Sequence, residues 1–151
     1  MRLLAMLAAT IVAAHGVRLS VPSGWARVTA AGDAPVTDPL TLVVVGTRGV
    51  HAHASQCQVA AYRVQPTGAV VVVVGWTSLT EGGSQRPGRW PLSALTSVHT
   101  PSFECFNGRG VAAYLVLRGR GYQVNVMVGN RASRARVRQA LAVARSFDLV
   151  H

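Results

Sequence analysis

The chain has 151 residues, half of them hydrophobic and 13% charged, with fifteen basic residues against five acidic ones and a formal charge of +10. That apolar content excludes a disordered polycation, and the length allows one domain with a single core. The acids Asp33, Asp38, Glu81, Glu104 and Asp148 are scattered, which argues against two-carboxylate hydrolysis and against a calcium or magnesium site.

The first fourteen residues, MRLLAMLAATIVAA, carry one Arg, then an uncharged and mainly apolar run, then a small-x-small ending at Val12-Ala13-Ala14. This is the pattern of a secretory signal peptide over residues 1–14, followed by one exported domain over 15–151. The run is short of the about 20 residues a transmembrane helix needs. An ordinary apolar first segment is the alternative. Cys57 and Cys105 are an even pair in a chain read as secreted, so a disulfide is expected between them.

Gly16 to Val21 alternates, with Val17, Leu19 and Val21 on one side and Arg18 and Ser20 on the other, and Pro22-Ser23-Gly24 ends this half-buried strand. Trp25 to Thr29 continues as a second short strand, and Ala30 to Pro39 is a loop. Leu40 to Gly46 is a β-branched strand. Thr47 to Gln56 is a loop, Cys57 to Val64 leans to a short helix, and Pro66-Thr67-Gly68 is a turn. Ala69 to Trp76 (AVVVVVGW) predicts a central strand buried on both faces. Glu81 to Pro91 is a long loop and Ser97 to Phe103 a short strand. Val111 to Leu117 and Tyr122 to Val128 form a hairpin around Arg118-Gly119-Arg120-Gly121. Residues 132 to 145 form a helix, capped by Asn130 or Ser133, with Val137, Ala140, Leu141 and Ala144 as its apolar stripe. Phe147 to Val150 closes the chain as a short strand or packed tail. The sum is an α+β domain: a single antiparallel β-sheet with a C-terminal helix packed on it.

Catalytic motifs are thin. Gly108-Arg109-Gly110-Val111-Ala112-Ala113 matches G-x-G-x-x-A, but a strand follows it and no acid occurs between Glu104 and Asp148. It is therefore read as a turn after Cys105 and not as a dinucleotide site. His51-Ala-His53 would present two imidazoles on one side of an extended segment, and His99 or Glu104 would have to complete a metal site. Solvated loop histidines are the preferred reading, so neither metal nor cofactor is expected. There is no G-x-S-x-G and, with no Lys in the chain, no P-loop; Ser84 has no identifiable base.

Charge is more informative. Every cation is Arg, a choice assigned to high-GC coding, but the net charge stands apart from that choice. From Cys105 to Phe147 there are eight Arg and no acid. On a helical wheel, Arg131, Arg134, Arg138 and Arg145 form a stripe beside the apolar face, and Arg118 and Arg120 sit in the hairpin. Arg134 and Arg138 are like charges at i,i+4, which costs stability and invites a functional reading. The expected partner is an anionic envelope component (lipid headgroups, wall polymer or an acidic protein). Nucleic acid is disfavoured, because export removes it and no row of stacking aromatics interleaves the Arg.

Gly16-Val-Arg-Leu-Ser-Val-Pro-Ser-Gly-Trp25 resembles the opening of small exported domains with the photosystem extrinsic-protein-like (PsbP-like) α-β-α sandwich. Arg145-Ser-Phe-Asp-Leu149 resembles their close. Glu104-Cys105-Phe106 and Gly121-Tyr122-Gln123-Val124 resemble uncharacterised exported domains of high-GC bacteria. The resemblance implies that fold and a non-enzymatic accessory or binding role, and it carries no catalytic residues across. The expectation is thus an extracytoplasmic domain that binds an anionic partner through Arg118, Arg120, Arg131, Arg134, Arg138 and Arg145. The alternatives are a protein-interaction domain with incidental charge and, behind it, a metal-dependent enzyme using His51 and His53.

Overall fold

A computed structural model describes residues 9–31, 38–77 and 86–151. The elements run β1 (Thr10–Ala14), β2 (Val17–Val21), β3 (Trp25–Arg27), β4 (Leu40–Thr47), β5 (His51–Ala52), β6 (Tyr62–Arg63), β7 (Ala69–Gly75), β8 (Arg86–Pro87), α1 (Trp90–Ser93), β9 (Arg109–Leu117), β10 (Arg120–Val128), α2 (Arg134–Arg145) and β11 (Asp148–Leu149). The core of the expected leader at 1–8, most of the loop at 30–39, and Glu81 and Ser84 lie outside the described residues. The last part of that leader, Thr10–Ala14, forms β1 and pairs antiparallel with β2.

The strands form three sheets, not one. The largest has six strands in the order β3-β4-β7-β10-β9-β8; a second is β1-β2-β11; the third is the ribbon β5-β6. The expected single antiparallel sheet with a helix on it is therefore corrected to a mostly β protein. The large sheet is not wholly antiparallel either, since β8 runs parallel to β9. The reason lies at the chain's two ends. β2 buries Val17, Leu19 and Val21 but pairs with β1 and β11, so both ends combine in a small sheet beside α2 and not in the large one.

β7 occupies the centre of the large sheet, with β4 on one side and β10 on the other, and all seven of its residues are buried. This is what five consecutive Val require: neither face is polar, so both must be covered. On one face Val71 and Val73 join Val124 and Val126 of β10, the α2 residues Ala140, Leu141 and Ala144, Phe147, and the β2 side chains. On the other, Val70, Val72, Val74 and Met127 meet Ala60, Ala61, Tyr62, Cys57, Phe103 and Phe106. One face is thus closed by helix and small sheet, and the other by loops.

The loop cover explains the remaining corrections. Cys57 to Val64 is not a helix; it is irregular chain ending in β6, because its Ala60, Ala61 and Tyr62 all press onto the sheet. Ser97 to Phe103 is not a strand and contributes only an isolated bridge, His99 to Gly110. The loop expected over 81–91 contains β8 and the start of α1 in its second half. The Cys57–Cys105 disulfide is present, with Cα atoms 6.4 Å apart, and it joins the two covering segments to each other.

Gly108 and Gly110 do not form a turn. Gly108 leads into β9 and Gly110 lies within it, and a Cβ on either would strike a ring, Phe106 at Gly108 and Phe103 at Gly110, as well as the carbonyls of Val128 and Val126. The glycines leave the strand bare so that two aromatic rings can lie on it. Gly110→Ala is expected to cost about 1–3 kcal/mol, the usual range for forcing atoms into a filled site. Urea unfolding would register it, and an unchanged midpoint would mean the Phe103 ring does not rest there. At the β9–β10 hairpin, Arg118 and Gly119 both have positive φ, 50° and 71°, as a two-residue type I′ turn demands.

Candidate functional site

α2 starts at Arg134, two residues after the expected 132. Ser133 is the N-cap, its Oγ accepting the Arg136 N–H at 3.1 Å, and Asn130 is not used. The first turn contains no acid. Arg134 and Arg136 therefore stand at the positive end of the helix dipole, where cations are unfavourable by roughly 0.3–1 kcal/mol each. The Arg134–Arg138 repulsion adds about 0.2–0.5 kcal/mol. Among the described residues neither Arg134 nor Arg138 makes a salt bridge. Charge is concentrated here against local stability.

Spacing decides which side chains share a face. Arg134, Val137, Arg138 and Leu141 fall at i, i+3, i+4 and i+7, so they project together. They form one wall of a cleft of about 310 Å³, completed by Ala132, by Thr96, Ser97 and Val98, and by Arg109 at the start of β9. One Arg109 terminal nitrogen donates to the Ala132 carbonyl at 3.2 Å, tying that guanidinium to the approach of α2. The rim is cationic. The floor is apolar, with Leu141 buried and Val98 and Val137 half-buried.

The other expected arginines are not brought to this cleft. Arg145 donates to the Leu95 carbonyl at 2.6 Å and lines a separate hollow with Arg89, Trp90, Leu92 and Ser93. Arg131 is exposed, its backbone N–H bonded to the Pro66 carbonyl. Arg120 donates to the Trp76 carbonyl at 2.7 Å and stacks 5.5 Å over the Tyr122 ring, while Arg118 meets the His151 ring at 2.9 Å. The hairpin pair sits at the end of β10 far from Val128, the residue nearer α2 in the chain, and β10 itself spans about 27 Å at ~3.4 Å per residue. The acid-free run is therefore several sites and not one surface.

Sequence reasoning left two arginines of the acid-free run out of the candidate set. Arg109 belonged to the acid-free run but sat in the segment read as a turn. Arg136 points off the stripe: it donates to the Thr67 carbonyl at 3.2 Å and to Gln139 Oε1 at 2.7 Å, the oxygen that also accepts the Trp25 indole N–H. With Arg48, Gln65 and Thr67 it borders a larger polar hollow of about 710 Å³. The alternation of Arg and apolar residues along α2 was the only available signal for this second face.

His51 and His53 each turn Nδ1 to a nearby carbonyl, Gly49 at 2.9 Å and Ala54 at 3.0 Å. Among the described residues no three His, Cys, Asp or Glu side chains stand close enough to hold a metal ion. Asp148 is the acid nearest the helix, and it is occupied by Arg89 at 2.9 Å and Arg18 at 3.3 Å. Its partial burial would raise the carboxyl pKa. The Leu149 N–H and the two guanidinium groups outweigh that and hold it below the ordinary value. Burial raises the Tyr62 phenol, whose oxygen accepts the Ala31 N–H at 3.0 Å.

Among the described residues no helix is long and apolar enough to cross a membrane. No protein-family model matches the chain, and no curated protein matches it significantly.

Proposed function

We propose that the chain is a non-enzymatic, extracytoplasmic domain of the cell envelope that binds an anionic partner beside α2. The observation that carries this reading is the cleft at which Arg109, Arg134 and Arg138 meet. None of the three guanidinium groups has a salt-bridge partner among the described residues, and the two on the helix, Arg134 and Arg138, cost stability there that an anion relieves. The disulfide supports an oxidising compartment.

The test is co-sedimentation of the full chain with vesicles containing anionic lipid and with an anionic wall polymer. Binding falls steeply as salt shortens the screening length from about 10 Å at 0.1 M. Arg134→Glu with Arg138→Glu abolishes it. Salt-independent binding, or equal binding by the double variant, overturns the reading.

One observation favours the second reading, a protein-interaction domain with incidental charge. Trp90 is 66% exposed beside Leu92 and the Arg89 and Arg145 side chains, and Trp and Arg are enriched at interface anchors. In that case Trp90→Ala weakens partner capture and the Arg134/Arg138 double variant leaves it unchanged.

A further inference from the structure

The walls of the α2 cleft differ in chemistry, and that difference narrows the anion. Arg134 and Arg138 stand one helical turn apart on the rim, and Arg109, bonded to the Ala132 carbonyl, lines the same cleft. This fork geometry suits a head group with several oxygens, such as a carboxylate or a phosphate. Thr96 and Ser97 add hydroxyl-bearing residues at the edge. Below them lie Val98, Val137 and Leu141, which a bare oxyanion would leave uncovered.

A long polyanion fits poorly. It needs a continuous track of cations, but the arginines along α2 are dispersed. Arg145 is bound to Leu95, and Arg136 to Thr67 and Gln139 on the other side. The cleft combines two guanidinium groups, Arg134 and Arg138, that have no carbonyl or carboxylate partner among the described residues, with Arg109 and an apolar floor. At about 310 Å³ it stands at the small end of ligand sites. It accommodates a head group and the first part of one chain.

We infer that this cleft binds a single-chain anionic amphiphile, taken up as a monomer. The head lies on Arg109, Arg134 and Arg138, and the first methylenes lie on Val98, Val137 and Leu141. The inference rests on the anionic reading of the same cleft and specifies its ligand class.

The probes are dodecyl phosphate below its micelle concentration, inorganic phosphate and the neutral dodecyl maltoside, titrated into the full chain by calorimetry at low salt. Dodecyl phosphate is expected to bind at least about tenfold more tightly than inorganic phosphate, since burying two methylenes alone supplies that factor, and more tightly than dodecyl maltoside, whose identical chain carries no charge for the arginines to meet. It also shifts the methyl resonances of Val98, Val137 and Leu141. Val137→Asn lowers dodecyl phosphate affinity and leaves phosphate affinity unchanged; Arg134→Gln with Arg138→Gln lowers both. Equal affinity for the two phosphates overturns the amphiphile and leaves the anionic reading standing. Equal affinity for dodecyl phosphate and dodecyl maltoside overturns the role of charge, and with it both readings. Methyl shifts in wild type confined to residues away from the cleft overturn the site without recourse to any variant.

Discussion

Reduction of Cys57–Cys105 lowers the stability of the chain by about 4 kcal/mol, the chain-entropy value for a loop of this length. The two cysteines are 48 residues apart in sequence. The bridge restrains more than an average loop, because each half belongs to a segment lying on the same face of the central sheet. Cys57 is followed by Ala60, Ala61 and Tyr62, and Cys105 is flanked by Phe103 and Phe106. Neither segment is held by a helix or by a strand longer than two residues. Denaturant unfolding with and without reductant measures the loss. Hydrogen exchange gives its location: amides around 57–64 and 103–106 lose protection first, while β7, fully buried between β4 and β10, stays slow. A reduced chain with unchanged midpoint and unchanged exchange in those segments would falsify the assignment of the bridge as the fastening of the loop layer.

Local signals made the strands legible and left their grouping hidden. The Val run and the alternation of Val17, Leu19 and Val21 each state a conformation within a few residues, and each stands where it was read; the hairpin read around Arg118-Gly119-Arg120-Gly121 has its turn at Arg118-Gly119, with Arg120 and Gly121 already in β10. Which strand pairs with which is a matter of long-range contact. Nothing in GVRLSV reveals that its neighbours are Thr10–Ala14 and Asp148–Leu149 and not the large sheet. Cys57 to Val64 failed for a related reason. Its apolar residues follow the surface they cover, not a helical or strand period, and that surface is formed by a strand later in the chain. The cleft divides in the same way. Arg134 and Arg138 were legible because helical spacing is local. Arg109 and Thr96 reach the cleft only through tertiary packing, and the hairpin arginines were grouped with the helix because charge along a sequence carries no distance.

Phe147→Ala is expected to destabilise the chain by about 3–5 kcal/mol, the cost of emptying a fully buried aromatic site. Phe147 is completely buried at the junction where α2 ends and β11 begins; its N–H donates to the Ala144 carbonyl at 3.1 Å. Its ring lies 5.4 Å from that of Tyr122 on β10, tilted by 54°, a geometry that adds about 0.5–1.5 kcal/mol beyond burial. The next residue, Asp148, bonds Arg18 and Arg89, and Leu149 pairs with Val17. One side chain therefore holds the end of α2, the small sheet and the large sheet together. Phe147→Leu keeps most of the volume and is expected to cost about 1.5 kcal/mol or less from volume alone, with the lost Tyr122 contact added. Chemical denaturation of the two variants separates cavity from ring contact. Because the charged cleft lies toward the other end of α2, at Arg134 and Arg138, folded Phe147→Leu retains anion binding with wild-type salt dependence. A loss under about 1 kcal/mol in Phe147→Ala, far below the range for such sites, would mean that the tail does not close the core and that α2 is held by its own apolar stripe alone.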